Sequence, residues 1–437
     1  MKFINLLKKE LRELITLQTV LSLVISMVIF GLLGGTIGTL TDSINEKMGS
    51  VAVADLDQSE ASAQLLKDIQ SAGFEVVALD PEGSEPPVDQ AEDYAHSSCL
   101  VIPKGFGTAL EEGRPASLEV SSKMAGFSIF SGMDQSASAA ADAAASLLSS
   151  RLLQEGLTEG MDPAFAVQPL QITETTSANG QTAEISGQVI QSMGMQQGFF
   201  IPMVVFIMIT FATQLNISAI ANEKNDKTLE TLLSAPVSRL SVLAAKMCAS
   251  GLASLAMSAV YMIGLGSYMG GMMGSADLSG DAEAAQSVAN AMQKLGLSMS
   301  AGQFFLLGVQ LFLTILITLA VSMILGALAK DVKSSQGLIA PLMFAAMIPY
   351  MVTLFADISS LPVIVQVLLY LIPFTHTYTA SANLLFGNIG VFYLGLAYQA
   401  VLLAATLFLA VRIFSSDRIF TMTLQLSGKK KKAAREE

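Results

Sequence analysis

Apolar residues run through this chain in long blocks, and the short polar stretches between the blocks carry most of the information. Six runs, over 15–40, 199–221, 242–269, 304–329, 337–356 and 391–411, reach the length that crosses a bilayer. Roughly 20 apolar residues span the hydrocarbon core, so the pattern predicts six transmembrane helices at these positions. The first run is too long for a signal-peptide core and lacks a small-residue cleavage site, so it reads as a retained anchor. Ahead of it, Phe3, Leu6, Leu7, Leu11 and Leu14 recur at helical spacing with Lys8, Lys9 and Arg12 opposite. Residues 1–14 are therefore expected to be an amphipathic helix on the inner membrane face, or else a plain extension of the first span. Gly31 with Gly35 and Gly34 with Gly38 give that span two small-residue spacings that permit close helix packing.

The stretch 41–197 has a different period. Short β-prone runs at 51–54, 74–79, 99–102 and 117–121 alternate with helical patterns at 59–72, 90–98 and 128–155. Alternation of this kind predicts an α/β domain, here inserted between spans one and two. Residues 270–299, rich in Gly and Met, form a second outer loop with a short helix expected near 283–295. The apolar run 363–372 is too short to cross and is followed by Pro373, Thr375, His376, Thr377 and Thr379. Reading 360–388 as a full crossing would put the tail with Lys429 to Lys432 outside. It is therefore expected to be a re-entrant hairpin, which needs cover from protein or a water-filled cavity. Such a hairpin either lines a substrate path or only packs in the outer leaflet.

Composition strengthens this picture. Of 437 residues, 52% are hydrophobic and 14% charged, against about a quarter charged in soluble domains; mean hydropathy is +0.56. Net charge is −12, but the signs segregate. With the N-terminus inside and six alternating spans, 17 of the 24 basic residues fall in inner segments or, as Lys246, at the inner end of a span, as the positive-inside rule requires. The expected topology is a multi-pass protein of the cell membrane, by its character a bacterial plasma membrane, with both termini cytoplasmic. The segment 222–240 and the loop 330–336 are then cytoplasmic, and 412–437 is a basic cytoplasmic tail. Two cysteines, Cys99 and Cys248, fall in different regions and are not expected to pair. Two histidines cannot supply a metal site of ordinary spacing.

Catalytic signatures are missing. There is no phosphate-binding Gly-x-x-x-x-Gly-Lys-Ser/Thr, no Gly-x-Ser-x-Gly and no His-Glu-x-x-His. A membrane hydrolase built on scattered Ser, Asp and His is disfavoured for want of a nucleophile motif, and no catalytic residue or metal ligand is assigned. The charged island at 223–236 lies between two spans. Leu229, Leu232, Leu233 and Pro236 fall on one helical face, with Glu223, Lys224, Asp226, Lys227 and Glu230 as the polar remainder. Glu223 and Lys227 form an i,i+4 pair in the favoured order. A two-faced rod at the membrane surface suits a groove on a cytoplasmic partner; a plain solvated helix has the same pattern.

Asn222-Glu223-Lys224, Thr228-Leu229-Glu230-Thr231-Leu232-Leu233 and Pro236-Val237-Ser238-Arg239, with Lys246 beyond, resemble the signature of the ABC type-2 permease family. Val51 to Ser59 and Leu100 to Phe106 resemble the subgroup with a large domain after span one, similar to NatB-like sodium-export permeases. The resemblance implies a membrane subunit of an ATP-driven exporter. In such a subunit two permease halves, identical or paralogous, dimerise in the lipid bilayer and dock two cytoplasmic ABC ATPase subunits that bind the ATP and Mg. No cofactor is then bound by this chain, and no nucleic acid is a partner. It also implies that Glu223, Lys224, Thr228, Leu229, Glu230, Leu232, Leu233 and Pro236 couple to the ATPase, with Lys330, Asp331 and Lys333 as a smaller contact or only a topology signal.

The middles of the spans carry no ionisable residue. Thr210, Thr213, Gln214 and Asn216, then Gln310, Thr314 and Thr318, are their polar groups. Thr210, Gln214, Asn216, Gln310 and Thr314 are the candidate substrate path, for sodium held by neutral oxygens or for a hydrophobic, drug-like compound; helix-to-helix hydrogen bonding is the competing use. Asp357, near the outer end of span five, could attract a cation. A reading from another class is a membrane-anchored binding or scaffold protein whose outer domain recognises a wall component, phage or secreted partner.

Overall fold

The computed structural model describes residues 49–94, 96–129, 134–155, 163–226, 245–253, 282–329 and 332–415, with single positions among 27–38 and 241–260. Its N-terminal part is a six-stranded sheet in the order β2-β1-β3-β4-β5-β6. Strand β1 (Ser50–Asp55) buries Val51, Ala52, Val53 and Ala54 on both faces, as a central strand of a parallel sheet must. It lies between β2 (Glu75–Ala78) and β3 (Ser98–Ile102), parallel to both. Helices α1 (Glu60–Ser71) and α2 (Pro87–Asp93) make the crossovers. Ser59 caps α1 by accepting from the Ser62 N–H at 3.1 Å. After α3 (Phe106–Glu111), β4 (Ala116–Lys123) returns antiparallel to β3, pairing Leu100 with Val120.

The core under this sheet joins Leu65 and Ile69 of α1 to Leu100, Ile102, Leu118 and Val120. Helix α4 (Ser136–Glu155) presses the small face of Ala137, Ala140, Ala141 and Ala144 onto the same core. Arg151 of α4 pairs with Asp68 of α1, and Lys123 of β4 bridges Asp89 and Glu92 of α2. Cys99 and Cys248 are both free thiols. Burial, then the charges of Glu119, Asp134 and Asp89, push the Cys99 thiol up to about 12.

Several elements differ from the sequence expectation. Four strands were expected and six are present: after α5 (Pro163–Val167) come β5 (Leu170–Ala178), parallel to β4, and β6 (Gln181–Ala183), antiparallel to β5. The helix expected at 90–98 starts at Pro87 and stops at Asp93, because Ser98 already belongs to β3. The long helix expected from 128 starts at Ser136. No gap separates the sheet domain from span two among the described residues. Helix α6 (Gly187–Asn225) runs 39 residues without interruption, roughly 58 Å at 1.5 Å per residue. The boundary at 197–199 therefore cuts a single rod, whose first turns pack on the sheet and whose remainder is apolar.

Four helices among the described residues are long and apolar enough to cross a membrane: Ile201–Lys224, Ala301–Leu328, Gly337–Phe355 and Ile389–Phe414. They belong to α6 and, after the short helix α7 (Ala282–Lys294), to α8 (Ala301–Leu328), α9 (Val332–Phe355) and α13 (Ile389–Ser415). The expected spans at 15–40 and 242–269 fall largely outside the described residues. Helix α8 opens on a capping box of Ser300 and Gln303, and it lies at the centre. Met208, Ala212 and Ile220 of α6 pack on Ile315, Leu319 and Met323 of α8, with Phe414 of α13 closing the cluster. On the other side Val205 and Ile209 meet Leu342, Ala346 and Tyr350 of α9.

Between α9 and α13 the chain forms a 3-10 turn (Ile358–Ser360) and three short helices, α10 (Val363–Tyr370), α11 (Pro373–Tyr378) and α12 (Ala380–Leu385). None is long enough to cross. Phe374 to Tyr378 of α11 are all buried against α6, α8, α9 and α13. Outward-facing Val363, Ile364, Val367 and Leu368 of α10 are exposed.

The sheet domain meets this region through the Phe127 loop and through the β5–β6 tip. Phe127, just after β4, wedges its ring against Gly194 of α6 and edge-on to Phe386, with centroids 5.0 Å apart. A Cβ at Gly194 would overlap that ring. At the tip between β5 and β6, Asn179 (φ 52°) takes the left-handed conformation that Asn tolerates. Its amide donates to the carbonyls of Leu295 at 3.1 Å and Leu385 at 2.8 Å.

Candidate functional site

The first site lies where α6 ends. Lys224 donates to the Ala327 carbonyl at 2.9 Å, in the last turn of α8, where helix carbonyls lack partners of their own. Glu223 pairs with Lys246 in the helical stretch 245–253. Three segments are thereby tied together at one level of the bundle, at the point where the charged island begins. Helix α6 stops at Asn225, with the Asp226 N–H returning to the Asn222 carbonyl at 2.9 Å. Thr228, Leu229, Glu230, Leu232, Leu233 and Pro236 lie outside the described residues, as do Lys330 and Asp331. Lys333 falls in the first turn of α9.

The second site is inside the bundle. Gln310 and Thr314 sit one helical turn apart on α8 and are both fully buried. The Thr314 hydroxyl meets that of Thr377 on α11 at 2.5 Å. Gln399 of α13 donates from Nε2 to Thr314 Oγ1 at 3.1 Å, to Thr377 Oγ1 at 2.9 Å and to the Pro373 carbonyl at 2.6 Å. An amide has two N–H bonds for these three acceptors, so the three share. Oε1 of Gln399 and both amide atoms of Gln310 are buried, and among the described residues none partners them. Leaving such atoms bare costs about 1–3 kcal/mol each, which marks this as a place the fold keeps polar for a reason other than stability.

The remaining candidates of the expected path are placed elsewhere. Asn216 of α6 is satisfied by the Leu319 carbonyl at 2.9 Å and the Ser322 hydroxyl at 2.8 Å, with Ser250 3.4 Å from its carbonyl oxygen. It acts as a knot between helices. Thr210 donates back to Phe206 of its own helix at 2.8 Å, and Gln214 is exposed. Sequence reasoning passed over Gln399 and Tyr378. Gln399 is a lone amide in an apolar helix, and that isolation is the available signal.

The third site is a cavity of about 220 Å³ between the sheet domain and the bundle, bounded by the Phe127 loop, the end of α9 and the helices α10–α12. Asp357 lines it and accepts from the Ser128 hydroxyl at 2.8 Å. Ser128 in turn gives its carbonyl to Gln191 of α6 at 2.9 Å. A Cβ at Gly126 would overlap the Asp357 carboxylate, so the loop lies flat against that acid. Tyr378 also lines the cavity; it is 2% exposed, and among the described residues none partners its hydroxyl.

In the sheet domain, the two segments that carried the second resemblance form one device. Asp57 accepts from the backbone N–H groups of Gly105 at 2.6 Å and Gly107 at 2.9 Å. Burial would raise its pKa, but hydrogen bonds from Ser59 and from the backbone at Gly107, Gly105 and Phe106 outweigh it and hold the carboxyl below its usual value. Asp55 meanwhile folds its own loop by accepting from the N–H groups of Asp57 and Gln58. Asp57 thus staples the β1–α1 loop to the start of α3. Neither residue approaches the bundle polar cluster, and among the described residues no three His, Cys, Asp or Glu side chains come together as metal ligands.

A domain of an ABC type-2 transporter, so described, from Thermotoga maritima MSB8 is similar to part of the chain. It shares 22% identity, covers 33% of this chain and 97% of that one, and gives a TM-score of 0.27. No curated protein shows significant similarity to the sequence. The sequence profile described as "ABC-2 family transporter protein" matches residues 18–412. With nearly the whole length matched, this chain belongs to the ABC-2 transporter family as a membrane permease component of an ABC transporter.

Proposed function

We propose that this permease works as one half of an exporter. Two copies, or this chain and a paralogue, dimerise in the cell membrane with both termini inside and the sheet domain outside. Two separate ATPase subunits bind ATP and Mg and seat the segment 223–236, with Lys330, Asp331 and Lys333 as a smaller contact. The observation that carries this reading is the tie at the end of α6. Lys224 holds the last turn of α8, and Glu223 holds Lys246. A push on the segment that follows would therefore reach three helices at once, and not one loop. Family membership supports the same partner and the same division of labour, with no catalysis in this chain.

The bundle cluster of Gln310, Thr314, Thr377 and Gln399 is the passage element of this mechanism. Its unpartnered amide atoms offer neutral oxygens to sodium or hydrogen bonds to a drug-like compound. Nucleotide drives the cycle only if the inward and outward states bind it with different affinity.

Co-purification tests the coupling role. The wild-type chain should retain the ATPase subunit, and the pair Leu232→Glu with Leu233→Glu should lose it while still reaching the membrane. Retention by the double variant would remove the coupling assignment.

A further inference from the structure

We infer that Asn179 is a positioning residue: through it the sheet domain sets the hairpin helices that carry Thr377 into the bundle's polar cluster. Its bearing on transport rests on the reading of that cluster as the passage.

The turn comes first. Strand β5 ends at Ala178 and β6 begins at Gln181, its partner across the hairpin. Asn179 and Gly180 between them have φ of 52° and 72°, and Asn-Gly is the pair a tight hairpin turn with two positive φ angles selects. The turn holds the Asn179 amide between two helix ends. Nδ2 donates to the carbonyl of Leu295, which closes α7, at 3.1 Å and to that of Leu385, the last residue of α12, at 2.8 Å. Two N–H bonds meet two acceptors, so the donor is fully used.

Both ends are built to receive it. Helix α7 closes with the Gly296 N–H returning to Gln293 and the Leu297 N–H to Met292, a Schellman motif that satisfies those two carbonyls and leaves that of Leu295 to another donor. A Cβ on Gly296 would stand 3.2 Å from Asn179 Nδ2, so the glycine leaves room for the amide. On α12, Gln303 of α8 donates to the Leu384 carbonyl at 3.0 Å, beside the Asn179 bond. The last carbonyls of a helix have no partner within it and carry the negative end of its dipole. Two such ends converge on one neutral donor.

The same unit is held from the bundle at its other end. Helix α11 passes into α12 through Thr379, which caps both. The Thr379 hydroxyl donates to the Thr375 carbonyl at 3.0 Å and accepts from Asn383 at 3.3 Å, so no slack separates Leu385 from Thr377. Gln399 grips Pro373 and Thr377, and Asn179 grips Leu385. The place of Thr377 is therefore set jointly by the bundle and by the sheet domain.

The test uses the full chain in phosphatidylglycerol nanodiscs and follows hydrogen exchange over 374–386. Asn179→Gly keeps the positive φ and removes the amide. Asn179→Asp keeps shape and φ but turns a carboxylate on two carbonyls at two dipole ends. Exchange over 374–386 should rise several-fold in the first and about tenfold or more in the second, with β1 and β3 unchanged. Gln399→Leu supplies a second arm. Its effect on exchange over 374–378 should shrink by more than about twofold in the Asn179→Asp background, beyond the scatter of independent sites. ATP-dependent flux of radiolabelled sodium and of ethidium, in vesicles with the partner ATPase, separates this inference from the passage reading. Coupled exchange with lowered flux of either probe supports both. Coupled exchange with unchanged flux keeps Asn179 as the positioning residue of the hairpin and removes the passage role of the cluster. Wild-type exchange over 374–386 in both variants, a rise confined to β5, β6 and α7, or full independence from Gln399→Leu would overturn the inference.

Discussion

Asp134 shows how one side chain can fix a junction. Its carboxylate accepts from the backbone N–H groups of Ser97 at 2.6 Å and Ser98 at 3.1 Å, and from the Ser136 hydroxyl at 2.8 Å. It thereby pins the start of β3 to the start of α4. Burial alone would raise its pKa, but the nearby His96 ring, its Nδ1 3.8 Å away, and the hydrogen bonds from the Ser136 hydroxyl and the Ser97 N–H outweigh it and hold the carboxyl far below the usual range. A carboxyl whose folded pKa is depressed contributes stability that is complete above its unfolded value, about 3.9. That contribution disappears as pH falls through the folded value. Asp134→Asn should therefore destabilise this junction by about 1–3 kcal/mol at neutral pH, and the gap to wild type should begin to close only below about pH 4. Hydrogen exchange at β3 and the first turn of α4 measures it. A gap that closes between pH 7 and 5 would place the stabilisation on another group.

At the scale of elements, the hairpin region is held by hydrogen bonds and not by length. Gln399 reaches from α13 to Pro373 and Thr377 of α11 and to Thr314 of α8, so one amide fixes three elements. Gln399→Leu keeps the volume and removes the donors. Interhelical hydrogen bonds in membranes average about 0.6 kcal/mol and reach about 1.7, so thermal stability should fall by no more than about 2 kcal/mol. ATP-dependent flux in vesicles with the partner ATPase should fall far more, since the polar cluster loses its third wall. Equal small losses in both would make Gln399 a mere fastener. This element was only partly legible in the sequence. The short apolar run and the Pro373–Thr379 cluster announced a break, but nothing in a lone Gln said which helix it would face. Strands β5 and β6 were missed for a related reason. Leu170–Ala178 alternates Thr, Ser, Glu and Gln with few apolar residues, and its half-buried pattern becomes a strand only because β4 supplies a partner. By contrast the middle of β1 and all of β3 are buried runs rich in Val, Ala, Leu and Ile, and composition alone exposes them.

At the scale of the whole molecule, α6 joins the two halves. It starts against the sheet, passes Phe127 at Gly194, and ends at Lys224 and Glu223. Such a continuous rod was hidden in the sequence, because polar residues 187–198 and apolar residues 199–221 read as different environments although their backbone is one helix. The coupling end was easier to see, since charges stranded between apolar runs have few other uses. The Glu223–Lys246 pair gives that end a direct check. Both side chains are partly buried, 31% and 16% exposed, so solvent screens the pair only in part. Glu223→Gln or Lys246→Gln should each cost about 1–3 kcal/mol, because the remaining charge keeps its desolvation and loses the contact across the pair. Exchanging the two, Glu223→Lys with Lys246→Glu, should recover part of the loss, the rest being withheld by repulsion between the new Lys at 223 and Lys224. If the pair transmits force, ATP-dependent flux should follow the same order, with both single variants below the exchange and the exchange below wild type. Stability that follows this order while flux stays at the wild-type level in all three would make the pair a brace for the helix ends, and the path of coupling would have to run through Lys224 and the last turn of α8 instead.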